Sequence, residues 1–503
     1  MPGFYVENFG CRATQADGAA LERQFEERGL SRATGTRDAS VVILNTCTVT
    51  TGADQDARAA IRRVRRQNPE ARIVVTGCYA QRAPEELAAL PGVDLVIGNS
   101  HKHQLAEIAL GTQDRSHMST IVPLESLTSL GGEPTTNDQR QTTESQRPIF
   151  VSDILAHTEL LAAPVFEAAN ERTRPNLKIQ DGCDNRCSFC VIPYVRGQSR
   201  SLETDRIIHE VNTLVNAGYR EVVISGINLG RWGRDLKKSS QPAESGERPT
   251  TNDQRRAPND KRLVSLIRSI LNETALEKLR ISSVEPMDWT DGLIALVASE
   301  PRIAKHAHVP MQSGSDAVLR RMHRKYRPRH YREKIEKIRA AMPQAAIGAD
   351  VMVGFPGETD SEFEATRRMI EDLPFTYLHV FTYSPRPGTP AASMQNQVPV
   401  QVARERNRIL RELAAEKKLA FMRSFVGKTV EAITLNVVGN DEDGEFTEAL
   451  TDNYLKLRLR GRHEPNRWQA MCVENVAAGS LGGNLHVSGS VRSRCSFLYA
   501  YNR

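Results

Sequence analysis

Over the first hundred or so positions, apolar residues gather in short runs separated by amphipathic stretches. The runs GFYVENFG (3–10), VVILNT (41–46), RIVVTG (72–77) and VDLVIG (93–98) have the β-branched texture of buried strands. Between them, ADGAALERQFEERG and GADQDARAAIRRVRRQ repeat apolar positions at helical spacing. Strand–helix alternation predicts a doubly wound parallel sheet over residues 1–112.

The pattern then lapses. Residues 113–147 and 236–262 are polar, and both carry the heptapeptide PTTNDQR, at 134–140 and 249–255. Neither has an apolar face, so they read as disordered insertions. Around them, 148–424 resumes the alternation. Strand patterns lie at 221–226, 279–286, 306–312, 347–357 and 377–385, with helical SDAVLRRMHR and RHYREKIEKIRAAM between them. Repeated βα units of this kind predict a full or partial parallel barrel, with active residues at the strands' C-terminal ends. Residues 401–424 read as a basic amphipathic helix. From 425 to 478 short β patterns with turn signals predict a small antiparallel barrel. There Tyr454, Lys456, Arg458 and Arg460 alternate along one strand. Such a face suits single-stranded nucleic acid, and a plain exposed strand face shows the same pattern. The tail, 479–503, stays unassigned.

Composition narrows the class. Of 503 residues, 39% are hydrophobic and 25% charged, a globular balance with some polar non-core sequence. No apolar run approaches the roughly 18 residues of a membrane helix. The start, MPGFYVENFG, lacks the order of a signal peptide, which makes the cytoplasm the expected address. The net charge of +6 is compatible with ordinary surface charge or with a polyanion partner such as RNA. Eight cysteines without an export signal point to metal or redox chemistry rather than disulfides. Cys472, in an apolar strand pattern, reads as a buried small hydrophobe, and Cys495 has no assignment.

The sharpest feature is KIQDGCDNRCSFC, which sets Cys183, Cys187 and Cys190 at C-x3-C-x2-C spacing. Three thiolates on one loop can ligate three irons of a four-iron cube and leave the fourth open. A small chelator with an amino group and a carboxylate can dock there, and S-adenosylmethionine has both. An electron passed from the reduced cluster to the sulfonium cleaves a C–S bond and yields a 5′-deoxyadenosyl radical, chemistry that belongs to the cofactor. Zinc or a simple electron-transfer cluster is the alternative. Cys11, Cys47 and Cys78 each follow a predicted strand, so a doubly wound sheet would bring them to one edge, where ligands bind. They read as a second metal site or as three core cysteines.

These residues sit in a wider context. DGCDNRCSFCVIPYVRGQSRS resembles the signature of the radical-SAM methylthiotransferases, as do NFGCRATQAD, NTCTVT, VTGCYAQ, VPMQSGSDAVLRRMHRKY, DVMVGFPGETDSEF and TYSPRPGTPAA. The resemblance covers about 1–112, 149–235 and 263–478. It implies an N-terminal methylthiotransferase domain (1–112), a radical-SAM domain (148–424) and a TRAM domain that grips RNA (425–478). By position, Cys183, Cys187 and Cys190 would hold the cluster that cleaves S-adenosylmethionine, and Cys11, Cys47 and Cys78 an auxiliary [4Fe–4S] cluster that presents the sulfur. S-adenosylmethionine would serve as both methyl donor and radical source. Gly226, in ISGINLGRWG, is placed by the resemblance near that cofactor. Glu285 and Gln312, at predicted strand ends, are candidate polar contacts to it or structural residues. Tyr454, Lys456 and Arg458 are the candidate RNA contacts.

Expected partners are the tRNA anticodon stem-loop, an electron donor such as a flavodoxin or ferredoxin, and a sulfur donor, with no membrane. The motifs are most similar to the bacterial threonylcarbamoyladenosine group, which implies methylthiolation at C2 of N6-threonylcarbamoyladenosine at tRNA position 37. The alternatives are N6-isopentenyladenosine in tRNA and an aspartate of a small-subunit ribosomal protein. One departure stands out: Thr14 occupies the place of an asparagine common to all groups.

Overall fold

The strand Val41–Thr46 buries all six of its residues, a pattern a sheet shows when helices cover both its faces. The computed structural model of the chain describes residues 3–111, 147–157, 160, 174–236, 260–441, 444–477 and 480–485. The expected insertions 113–147 and 236–262, apart from their end residues, and Cys495 lie outside these. The chain divides into two compact units. One comprises Met1–Gly10, Leu21–Thr48 and Gly52–Ile154, and the other Cys11–Ala20, Val49–Thr51 and Leu155–Arg503. The start of helix Arg12–Glu26 therefore groups with the larger unit.

The smaller unit holds a parallel sheet of β1 (Gly3–Asn8), β2 (Ser31–Arg32), β3 (Val41–Thr46), β4 (Arg72–Gly77), β5 (Leu95–Gly98) and β6 (Ile149–Phe150). The order is β2-β1-β3-β4-β5-β6. Helix Thr51–Gln67 buries Ala57, Ala60, Ile61 and Val64, which meet Val42, Leu44, Ile73 and Val75 of the sheet. That three- and four-residue spacing is why its arginines face outward. The sheet is the parallel, doubly wound one expected. At its C-terminal edge Asn8 is opposite Asn45, and Thr46 opposite Gly77.

The larger unit contains an open half-barrel. One sheet takes β7 (Asn176–Asp181), β8 (Arg200–Ser201), β9 (Glu221–Gly226) and β10 (Lys278–Ile281) in the order β10-β9-β7-β8; the other takes β11 (His306–His308), β12 (Ala346–Val353) and β13 (Tyr377–Thr382). An isolated parallel bridge pairs Leu279 of β10 with Ile303, three residues before β11. Strand alternation divides the residues cleanly. Leu177, Ile179, Val222, Ile224, Leu279, Ala307, Ile347 and Val351 enter one core with the flanking helices. The intervening positions include Lys178, Gln180, Ser225, Arg280, His308, Asp350 and His379, so the inner face is polar.

Helix Val400–Arg423 leads to a closed barrel of β14 (Thr429–Asp441), β15 (Gly444–Thr451), β16 (Lys456–Arg460), β17 (Trp468–Ala477) and β18 (Ser480–Leu485). Two features differ from the sequence reading. The barrel uses Ser480–Leu485, past position 478, and β18 pairs in parallel with β16, the other pairings being antiparallel. The glycine-containing segment SLGGNL carries little β signal, which hid this strand. Cys472, expected to be buried, is half-buried, because it sits out of phase with the core residues Met471 and Val473.

Candidate active site

β7 ends at Asp181, and the chain turns sharply through Gly182 before the three cysteines. Gly182 has φ +70°, and a Cβ there would lie 1.9 Å from the Gln198 carbonyl oxygen. Only glycine meets both demands. The loop is then pinned along its length. Cys183 N–H donates to Gly197 O at 3.0 Å and Cys190 N–H to Cys187 O at 3.1 Å. Ser188 Oγ donates to Arg321 O at 2.7 Å.

Two of the sulfurs face nitrogen donors. Asn228 Nδ2 lies 3.5 Å from Cys183 Sγ, and Arg324 Nη1 lies 3.2 Å from Cys187 Sγ. Arg324 also pairs with Glu285. Burial pushes the Cys190 thiol up to about 12, and burial raises Cys183 too. Such thiols become thiolates only against a strong positive partner. A soft-sulfur donor set with N–H groups aimed at it fits an iron–sulfur cluster. Among the described residues, no three His, Cys, Asp or Glu side chains form a ready single-ion site.

A buried four-charge network lies just below the loop. Lys178 pairs with Asp17 and, at 2.8 Å, with Asp181. Arg196 reaches Asp17 at 2.9 Å and Asp181 at 3.0 Å. Burial opposes the charge on Asp181, yet Arg196 and Lys178 hold its carboxyl well below the usual range. The backbone joins in: Asn176 Nδ2 donates to Arg12 O at 3.1 Å. These contacts fasten the segment Cys11–Ala20 along β7.

Gly226 ends β9 and faces the protein's own Gln180, whose Oε1 a Cβ would meet at 2.8 Å. Gln180 in turn accepts from Asn228 N–H at 2.7 Å, so Gly226 makes room for the residue that braces the loop. Glu285 is held by Arg324. Gln312 has φ +62°, and its buried Oε1 has no hydrogen-bond partner, leaving an acceptor oxygen free at the strand ends. Tyr454, also at positive φ, packs on His306 with ring centroids 5.0 Å apart. Lys456 pairs with Glu448 at 3.1 Å and Arg458 with Asp441 at 3.3 Å. Leu457 and Leu459 are buried between Lys456, Arg458 and Arg460, so the expected alternation holds along β16, while Tyr454 lies before the strand rather than on it.

Cys47 and Cys78 are the first residues past the paired ends Thr46 and Gly77, and both are buried. Cys11 is three residues past β1, belongs to the larger unit and is exposed. Asn99 Nδ2 approaches Cys78 Sγ at 3.7 Å. Thr14 Oγ1 lies 3.6 Å from Cys11 Sγ, so the departure from the asparagine pattern touches that sulfur's surroundings. Sequence reasoning missed Asn228, Arg324 and the Asp17–Lys178–Asp181–Arg196 network. Asn228 and Arg324 lie inside quoted motifs, but nothing in one sequence says which polar residue turns inward.

Residues 3–98 match the model described as Uncharacterized protein family UPF0004, and 177–370 match the Radical SAM superfamily. The chain is 36% identical over 458 residues to the Threonylcarbamoyladenosine tRNA methylthiotransferase MtaB of Bacillus subtilis (strain 168), covering 90% of each. The chain belongs to the radical-SAM tRNA methylthiotransferases. It is also 33% identical to a tRNA-2-methylthio-N(6)-dimethylallyladenosine synthase of Novosphingobium aromaticivorans, covering 86% of each. Among solved structures, a radical S-adenosylmethionine methyltransferase from Kitasatospora setae with cobalamin and a [4Fe-4S] cluster bound shares the fold. The TM-score is 0.50 at 14% identity, covering 78% of this chain and 74% of that one. As a methylthiotransferase the chain is a sulfur-inserting, S-adenosylmethionine-dependent enzyme with an iron–sulfur cofactor.

Proposed function

We propose that this methylthiotransferase adds a methylthio group to C2 of N6-threonylcarbamoyladenosine beside the tRNA anticodon. The observation that carries the chemistry is the cysteine loop at the mouth of the half-barrel, with Asn228 and Arg324 donating to two of its sulfurs. The substrate rests on the 36% identity with the Bacillus subtilis enzyme. The bound cluster and S-adenosylmethionine would supply hydrogen abstraction from the aromatic carbon.

The chain's own residues do the rest. Cys183, Cys187 and Cys190 would hold the cluster, and Arg324 would offset the negative charge gathered on its sulfurs. Glu285 keeps Arg324 aimed at Cys187. The free Gln312 carbonyl oxygen would be an acceptor for a polar group of S-adenosylmethionine, while Gly226 acts through Gln180. Cys11, Cys47 and Cys78 would hold a second [4Fe–4S] cluster, whose chemistry would be to supply the sulfur. The sheet supports this reading by setting Cys47 and Cys78 at adjacent strand ends.

In this reading 1–112 is the methylthiotransferase domain, 148–424 the radical-SAM domain and 425–478, extended by β18, the RNA-gripping TRAM barrel with Tyr454, Lys456 and Arg458. Flavodoxin or ferredoxin supplies electrons, a separate donor supplies sulfur, and the enzyme works in the cytoplasm. No helix among the described residues is long and apolar enough to cross a membrane. The second reading, isopentenyladenosine, draws on the Novosphingobium relative. Mass spectrometry of digested tRNA, with and without the gene, separates them. Loss of the methylthio group from threonylcarbamoyladenosine supports the proposal, and loss from isopentenyladenosine overturns it. Anaerobic reconstitution tests the sites: about eight irons per chain supports two four-iron clusters, and about four removes the second.

A further inference from the structure

Among the described residues, the cation of Arg12 beside Tyr454 lacks an acidic partner. Arg12 is exposed, donates from Nη2 to Tyr454 Oη at 3.3 Å, and has no carboxylate partner among the described residues. Two of the acids near the inner face of the half-barrel are held by cations, and Asp350 faces a histidine. Asp350 sits 3.3 Å from His308 Nε2, and Glu221 pairs with Arg280 at 2.6 Å. Asp17, five residues along the same helix, is held by Lys178 and Arg196.

The surroundings of Arg12 are built rather than incidental. Its charge acts on His306, Tyr377 and His379. Tyr377 can lie across this face because position 348 is glycine; a Cβ there would sit 1.9 Å from the tyrosine ring. The Tyr377 hydroxyl meets His306 Nε2 at 2.7 Å, and the two rings stack at 5.8 Å. His379 stands edge-on to Tyr377 at 5.4 Å and next to His308 at 5.6 Å, and it is exposed. The result is a solvent-reached wall of imidazole, phenol and the Arg12 guanidinium, with the Asp350 carboxylate beside His308 and opposite His379. An alkenyl substituent would leave those polar groups unpaired, whereas a side chain ending in a carboxylate satisfies them.

We propose that Arg12, with Tyr377 and His379, forms the subsite that takes the carboxylate of the threonylcarbamoyl group and so selects this nucleoside over neutral ones. The inference rests on the substrate reading above. Arg12 supplies the charge-assisted pair. Tyr377 and His379 supply hydrogen bonds and shape the wall. These are substrate-positioning roles, with no part in the radical chemistry.

The test uses the full chain and fluorescent anticodon stem-loops. One carries N6-threonylcarbamoyladenosine, and the other its threoninol analogue, with the carboxylate replaced by hydroxymethyl. By anisotropy, the wild type should bind the first about tenfold tighter, the scale of a hydrogen-bonded ion pair. Arg12→Gln should abolish that preference and leave the threoninol affinity unchanged, while Arg12→Lys keeps part of it. The unchanged threoninol affinity shows that the variant is folded. His379→Gln provides a second, smaller loss confined to the carboxylate ligand. Equal weakening of both stem-loops by Arg12→Gln would mean a phosphate contact and overturn the subsite, as would an undiminished preference. Product analysis on the same wild-type enzyme separates the two readings. Methylthiolation of an isopentenyladenosine stem-loop alone sinks the substrate assignment and the subsite with it, whereas methylthiolation of threonylcarbamoyladenosine without an Arg12-dependent preference sinks only the subsite.

Discussion

Arg324 Nη1 points at Cys187 Sγ across 3.2 Å. The same guanidinium binds Glu285 and stacks over Tyr326, 5.0 Å from the ring centroid. One arginine thus joins the cysteine loop, a strand-end acid and the core. Replacing it leaves Glu285 largely buried without its cation. Arg324→Gln should cost about 3 kcal/mol of folding stability, read by urea denaturation of the metal-free chain. Adding Glu285→Gln should recover most of that loss, because the stranded charge goes with it. Equal stability of the single and double variants would show that the pair carries no such coupling.

Asp17 and Arg196 form the second relationship worth testing, since they are 179 positions apart and 2.9 Å from each other. Removing Asp17 leaves two buried cations sharing Asp181. Asp17→Ala should destabilise the chain by about 3–5 kcal/mol, the range for breaking a buried pair. A double-mutant cycle with Arg196→Met should give a coupling of about 1–3 kcal/mol. A coupling near zero would assign the loss to packing alone.

Much of the architecture was legible because it follows from alternation. VVILNT, RIVVTG and EVVISG are strands at the expected positions, since a run of β-branched residues buried on both faces has few other homes. The cysteine loop was legible because three thiols at fixed spacing have few chemical uses. What stayed hidden depends on which way polar residues turn. Lys178 and Gln180 lie in a stretch that stands out only for its cysteines, and only the half-barrel shows them facing inward among other polar groups. β18 was invisible for a different reason: SLGGNL owes its strand to the partners β16 and β17 rather than to its own preference.

Gly182 yields a prediction on the loop itself. A Cβ at this position would overlap the Gln198 carbonyl, and the backbone is left-handed. Gly182→Ala should therefore cost at least about 1–3 kcal/mol from overpacking and strain. Because the strain falls next to Cys183, iron uptake on reconstitution should drop more steeply than thermal stability. Gly218→Ala, also at positive φ but with nothing within 4 Å of its Cβ, serves as the control. It should show the backbone cost alone and normal iron uptake. Matching iron losses in both variants would remove the loop-specific explanation.

His306 makes stability depend on pH. Its ring is buried between Tyr377 and Tyr454. Burial, with the Arg280, His308 and Arg12 charges, holds the imidazole well below its ordinary value. The folded chain then binds a proton at this site less readily than the unfolded chain does. Stability is complete above the unfolded value of about 6.5 and is lost as the pH falls below it, at up to about 1.4 kcal/mol per pH unit from this one group. His306→Gln cannot be protonated and keeps a side chain able to meet the Tyr377 hydroxyl. Its urea-denaturation stability should therefore fall less steeply between pH 6.5 and 5 than that of the wild type, with the two curves converging as the pH drops. Parallel curves over that interval would mean that His306 takes up its proton as easily in the folded chain as in the unfolded one.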